Sequence, residues 1–392
     1  MNAEVLDIEI SGLVLSGDDP SLFRDRRGRP RARGPNFDEG YDFRTLVYGA
    51  FEDAENDCVC VLCPPLLNFR ALIEETEFQL DGIPAHPRAI LDLSRCSVLL
   101  FDYVDALPAS ISLTHRLFGG TVPILPSLVS RFEGSNAIYA ISKNNDLQWI
   151  GDWLTYYVRA HGLTSAVLID NGSTDYRPED LRKTVASVNG LKRAAVLRAR
   201  YPFGPTVEST AGYASLYLQR SMIELVRRHL LARARAVMNA DIDELIWSRT
   251  GQSVFDATVE EPDGYLRAGA VWVYAKDVPE GSGIRHMHHG MVSASGKPKS
   301  KRKWCVAPTG AKKGQQWLTH FMEDRRDPVH PDFLLWHFRD VTTGWKEERL
   351  AADRPELVPA PELQTEMRRV FGQDQDLPAA SYPVTSREDA RP

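Results

Sequence analysis

The sequence predicts an α/β protein, a doubly wound mixed sheet preceded by a β-rich N-terminal unit. Three observations lead there. From residue 131 to about 350, apolar runs of strand length alternate with amphipathic runs of helix length. Two of the apolar runs end abruptly on ligand-type residues, Asp170-Asn171-Gly172 and Asp241-Ile242-Asp243. In an open α/β sheet, the strands' carboxyl ends border the binding crevice. Before residue 130 the pattern is different: short β-branched runs are broken by Pro, Gly and Asn.

The 392 residues suffice for two or three domains, and a net charge of −6 argues against bulk nucleic-acid binding. The start, MNAEVLDIEISG, lacks the basic and apolar regions of a secretory leader, and no apolar run approaches membrane-spanning length. A cytoplasmic protein without a transmembrane segment is expected. The five cysteines fit reduced thiols. The run Cys58-Val59-Cys60-Val61-Leu62-Cys63 is read as a core strand rather than a metal motif, because no fourth ligand stands at zinc-site spacing.

Taken in order, the basic run Arg24 to Arg33 reads as a solvated loop, with contact to an anionic membrane surface as the alternative. Residues 41–105 carry strand signals, and the Gly- and Pro-bearing stretch Leu117 to Ser130 reads as a connector, placing a boundary near 130. Ala137–Ser142 is a strand. Asp146–Gly162 is a helix with Leu147, Ile150, Leu154, Tyr157 and Val158 on one face and Gly162 as its stop. Strand 165–170, a helix opening at Pro178, strand 194–199, a long helix over 213–234 and a strand running into Asp243 follow. The tail from 351 is rich in Pro, Ala and charge and reads as weakly ordered, apart from one short helix in PELQTEMRRVF.

In an extended segment residues i and i+2 face the same way, so Asp241 and Asp243 would present both carboxylates to one point. Two such charges call for a cation, and hard oxygen ligands suit Mg²⁺ or Mn²⁺. The competing reading is an exposed turn. In a parallel sheet the two acidic strand ends open on one crevice, one suited to base and ribose, the other to metal and diphosphate.

Several pieces in order resemble inverting glycosyltransferases of the GT-A fold, family 92-like with family 2-like bacterial relatives. They are Lys143-Asn144, Trp149-Ile150, Trp153-Leu154, Asp170-Asn171-Gly172-Ser173-Thr174-Asp175, Asp241-Ile242-Asp243-Glu244, Lys303-Trp304-Cys305-Val306-Ala307-Pro308 and Leu335-Trp336-His337-Phe338-Arg339. The resemblance implies metal-dependent transfer of a hexose, with inversion, from a nucleotide-sugar (a UDP-sugar is expected) to a glycan or polysaccharide acceptor. It implies Mn²⁺ or Mg²⁺ held by Asp243, Asp241 and His337. It assigns the donor to Asp170, Asn171, Gly172, Asp175, Asp241 and Lys303, the last in a basic loop from Lys297 that is suited to closing over the diphosphate. Asp175 has helix capping as its alternative role. Asp324 is the candidate base for the acceptor hydroxyl. His286, His288 and His289 are read as substrate-site or surface residues. A nucleotidylyltransferase-like enzyme and a non-catalytic sugar-nucleotide-binding protein are the alternatives.

Overall fold

The computed structural model describes residues 2–34, 36–205, 216–276, 278–279, 281–296, 300–322, 328–341, 343 and 355–372. Its centre is an 11-stranded mixed sheet. Along the sheet lie Glu4–Glu9, Arg193–Arg198, Ser165–Asp170, Asn136–Ser142 and Ala236–Asn239, all parallel. Lys303–Val306 then runs antiparallel between Ala236–Asn239 and Tyr265–Ala275. Beyond residue 268 the Tyr265–Ala275 strand changes partner and pairs in parallel with Phe333–Phe338, which carries Glu244–Ser248 antiparallel on its other edge.

The central strands are buried on both faces, which is why they read as near-continuous apolar runs. Ile138, Ala140, Ala166, Leu168 and Met238 face a core shared with Trp153, Leu154, Leu181 and Val185 of the helices Leu147–His161 and Pro178–Ser187. The helix Pro361–Phe371 adds Leu363, Met367, Val370 and Phe371 to that core, so this part of the tail is ordered by burial. Gly162 ends the first helix at φ 68°, the left-handed cap expected of it.

The opposite face departs from a sheet with helices on both sides. Ala137, Tyr139, Val167, Ile169, Ala195 and Leu197 pack on one helical segment, Tyr217–Leu225 continued by Val226–Leu230, and on a second sheet. That sheet is eight-stranded and antiparallel except where Phe118–Leu125 meets Gly49–Asp53. Its strand Cys58–Cys63 is buried on both faces: Cys58, Cys60 and Leu62 face the α/β sheet, while Val59, Val61 and Cys63 face the unit's own core. Burial pushes the thiols up, Cys58 to about 11 and Cys63 to about 12, so these cysteines act as small apolar side chains.

Three sequence expectations need correction. The chain starts in the large sheet, since Glu4–Glu9 pairs with Arg193–Arg198. Phe118–Leu125 is a strand, not a connector; its alternation buries Val122 and Ile124 and turns the Pro123 ring outward, and Pro123 stands just before the pairing with Gly49–Asp53 begins at Ile124. The basic run is only partly solvated: Arg24 is buried and donates to the carbonyls of Pro65, Asp42 and Thr45. Among the described residues no helix is long and apolar enough to cross a membrane.

Candidate functional site

Asp241-Ile242-Asp243-Glu244 is a turn, closed by the Glu244 N–H donating to the Asp241 carbonyl at 3.0 Å. The extended geometry expected from alternation is therefore not what brings its acids together. Ile242 is buried in the helix-side core and anchors the turn, while the acidic side chains leave on the other side. Each then meets a partner from far along the chain. The pairing of Glu244–Ser248 with Phe333–Phe338 sets Glu244 opposite His337. His337 Nε2 lies 2.8 Å from Asp243 Oδ2, and its Nδ1 lies 2.6 Å from Ser300 Oγ and 3.7 Å from Glu244 Oε1. Trp272 stacks on the imidazole, centroids 3.8 Å apart. From the other side, Lys303 at the start of its strand places Nζ 2.7 Å from Asp241 Oδ2 and 3.1 Å from Glu244 Oε2. Glu244 also accepts the Asp241 N–H, at 2.9 Å.

The electrostatics follow from burial. Glu244 is buried, and desolvation pushes its carboxyl up to about 7; Asp241 and Asp243 push the same way, against Lys303 and His337. Burial alone would lower Lys303, but Asp241 and Glu244 raise it above its ordinary value and keep it charged. Three carboxylates thus face one lysine and one imidazole, an arrangement open to further positive charge. Lys303, expected on the donor, is fully buried against the two acids.

A second polar cluster braces the turn from behind. Asp152, on the helix Leu147–His161, is buried and grips the Arg285 guanidinium through both oxygens. Burial would raise its carboxyl, yet His286 and Arg285 hold it below the usual range. His286 Nε2 lies 2.9 Å from the Ile242 carbonyl inside the acidic turn. His286 and His289 are interior side chains, not surface ones, because both rings pack edge-on against Phe338 beneath the turn.

The other acidic strand end is built locally. Asp170 Oδ1 accepts the Ser173 N–H and hydroxyl, and Ser173 Oγ lies 3.0 Å from the Tyr176 hydroxyl. The Asn171 amide donates to the carbonyls of Ala199 and Tyr201, crossing to the next strand. Gly172 has φ 72°, a conformation that favours glycine, while a Cβ there would make only ordinary contact with Arg200 Cγ at 3.4 Å. Asp175 is exposed; the following helix is capped at Arg177, so Asp175 is not its cap. Asp170 and Asp241 stand at the same end of parallel strands, separated by the single strand Asn136–Ser142.

The chain matches no family model and no curated protein sequence. Of the residues expected at the site, Asp241, Asp243, Lys303 and His337 come together, and Asp170, Asn171 and Gly172 form the neighbouring strand end. Asp324, with the adjacent Glu323, lies outside the described residues, as do Lys297 and Lys299 of the basic loop. Glu244 stood inside the acidic motif without a role; its burial, which no local sequence signal reveals, makes it the hub.

Proposed function

We propose that the protein is a metal-dependent glycosyltransferase moving a hexose from a nucleotide-sugar, with a UDP-sugar first among candidates, to a glycan or polysaccharide acceptor. The observation that carries this reading is the meeting of Asp243 with His337, 2.8 Å apart, beside Asp241 at the carboxyl end of a parallel sheet. The sheet order supports it. Two βα steps wind outward from Asn136–Ser142 through Ser165–Asp170 to Arg193–Arg198, and the next crossover returns to Ala236–Asn239 on the other flank, where the winding reverses and the acidic turn follows.

The residues suit a divalent cation by donor chemistry. Asp243 offers oxygen and His337 nitrogen, a combination that favours Mn²⁺ over Mg²⁺. The Ser300 and Glu244 contacts at His337 Nδ1 orient the ring, as outer partners of metal-bound histidines do. Among the described residues no three acid, histidine or cysteine side chains are grouped to hold a metal ion by themselves, so a cation on Asp243 and His337 would need substrate oxygens to complete its shell. A bound cation would neutralise charge developing on the leaving diphosphate. Lys303 pairs with Asp241 and fixes its carboxylate, and His286 fixes the turn through the Ile242 carbonyl. Asp170 and the glycine turn beside it present a carboxylate and close backbone to base and ribose.

The test is hydrolysis of a panel of UDP- and GDP-sugars by the purified protein, with and without Mn²⁺. Mn²⁺-dependent release of one sugar, lost in Asp243→Ala, is expected. Indifference of every donor, or of the variant, would refute the proposal. Release of pyrophosphate from a nucleoside triphosphate would favour a nucleotidylyltransferase instead.

A further inference from the structure

Arg220 lies on the helix Tyr217–Leu225, between the α/β sheet and the N-terminal β-rich unit. It is 8 % exposed, and its Nε and Nη1 are enclosed without a hydrogen-bond partner among the described residues. Among the described residues, the groups acting on it electrostatically include Arg95, Tyr139 and Cys96, with no carboxylate. Burial lowers its pKa only to about 10, so it stays charged at neutral pH. An enclosed charge without a counter-charge is strongly unfavourable, and arginine cannot escape by giving up its proton.

A second orphan stands beside it. The Tyr139 hydroxyl is enclosed and also unpartnered among the described residues. Tyr139 lines a small cavity together with Gln219 and Met222 of the Arg220 helix and with Asp241. The third contributor belongs to the β-rich unit. Arg95 sits at φ 68° in the tight turn between the strands Ala89–Leu93 and Cys96–Phe101. That turn is docked on the α/β half by Gln316, which accepts the Ser94 N–H at 2.9 Å.

We infer that Arg220 anchors a phosphoryl-binding site between the acidic turn and the β-rich unit, with the Tyr139 hydroxyl as a second donor and Arg95 as its outer positive wall. Two guanidinium groups and a hydroxyl match a doubly charged group with several acceptor oxygens better than a single carboxylate. The site gives the N-terminal unit a part in ligand recognition. Only the choice of source rests on the proposed function: the phosphoryl group belongs to the donor's diphosphate or to a phosphorylated acceptor.

The experiment is calorimetric titration with inorganic pyrophosphate in the absence of divalent metal, on the parent chain, Arg220→Met, Arg220→Lys and Tyr139→Phe. The parent should bind. Arg220→Met should weaken binding by about tenfold or more, Arg220→Lys by less, and Tyr139→Phe by about threefold, as expected for losing charged and neutral hydrogen bonds. Without pyrophosphate, Arg220→Met should unfold at the same temperature as the parent or higher, because it removes an uncompensated buried charge. Absence of binding to the parent, equal binding by Arg220→Met and Arg220→Lys to the parent's level, or a sharply lowered unfolding temperature of Arg220→Met would overturn the inference.

Two arms separate the sources. Competition between UDP or GDP and pyrophosphate, with both weakened in Arg220→Met, assigns the donor diphosphate. Glucose 1-phosphate that binds alongside UDP and alone loses affinity in Arg220→Met assigns the acceptor. Pyrophosphate binding through Arg220 without turnover of any sugar-nucleotide would uphold this site while removing the glycosyl-transfer reading.

Discussion

The two acidic strand ends look alike in sequence and are built in opposite ways. At Asp170 the carboxylate is held by Ser173, three residues on, and the turn completes itself with short-range bonds and a positive-φ glycine. At Asp241–Glu244 the local turn supplies the Glu244 N–H to the Asp241 carbonyl and the Asp241 N–H to the Glu244 carboxylate, and neither bond holds the Asp241 or Asp243 carboxylate. Its charges are held by Lys303 and His337, 62 and 94 residues away from Asp241 and Asp243. A self-contained turn can be changed at modest cost. A cluster of buried charge assembled from three strands cannot, because removing one member leaves the others desolvated and unpaired.

The largest expected effect tests the second end. Under the proposed function, Asp243→Ala and His337→Ala should each lower Mn²⁺-dependent sugar release by about 100-fold or more, the scale of losing a metal's protein ligands or their support. The matching change at the first end, Asp170→Ala, should raise KM for the nucleotide-sugar and leave kcat nearly intact. Equal kcat losses at both ends would erase the distinction.

Next in size is a stability effect. Lys303→Met strands Asp241 and Glu244 beside each other and should cost about 3–5 kcal/mol in urea unfolding. Combining it with Glu244→Gln should recover part of that loss. Asp170→Ala should cost about 1 kcal/mol, the value of an ordinary hydrogen bond. A Lys303→Met change as mild as that would mean the cluster is not the hub described.

The pH dependence gives a subtler contrast. The folded-state pKa of Glu244 is about 7, above the unfolded value of 4.5, so acidification from 7 to 4.5 protonates the folded chain first and adds stability. The contribution is about 1.4 kcal/mol per pH unit across that window. Buried His161 and His229 act in the opposite sense: burial lowers each to about 4, so stability is lost as pH falls from 6.5 toward 4. His289, lowered to about 3, extends that loss further. The parent should lose stability on acidification, and Glu244→Gln should lose it more steeply between pH 7 and 4.5 in urea titrations at successive pH values. Parallel curves would deny Glu244 its raised pKa. The smallest effect belongs to Asp175→Ala. That residue is exposed and caps nothing, so unfolding should change by about 0.5 kcal/mol or less.

Much of the α/β half was legible because periodicity and stop signals are local. The strand Ser165–Asp170 and the helix Leu147–His161 with its glycine cap follow from spacing and residue type, as does the apolar run Cys58–Cys63 in the β-rich unit. The strand Phe118–Leu125 was hidden by glycines and a proline that usually mark loops; here pairing with strands on both sides overrules propensity. Gly120 fits because a Cβ there would press on Leu13, a contact that no local rule foretells.

The sequence by itself determined the alternation of strands and helices from about residue 136 to 239, the two acidic strand ends and the residue types that chemistry there requires. The tertiary structure decided which of those residues meet. It turned Asp241-Ile242-Asp243 from an alternating strand into a turn, brought His337 and Lys303 to its two acids, and enclosed Glu244 and Arg220. The reason is physical. Backbone conformation is governed by neighbours a few residues away, whereas burial, and with it the strength of every charge, depends on strands that pair from opposite ends of the chain.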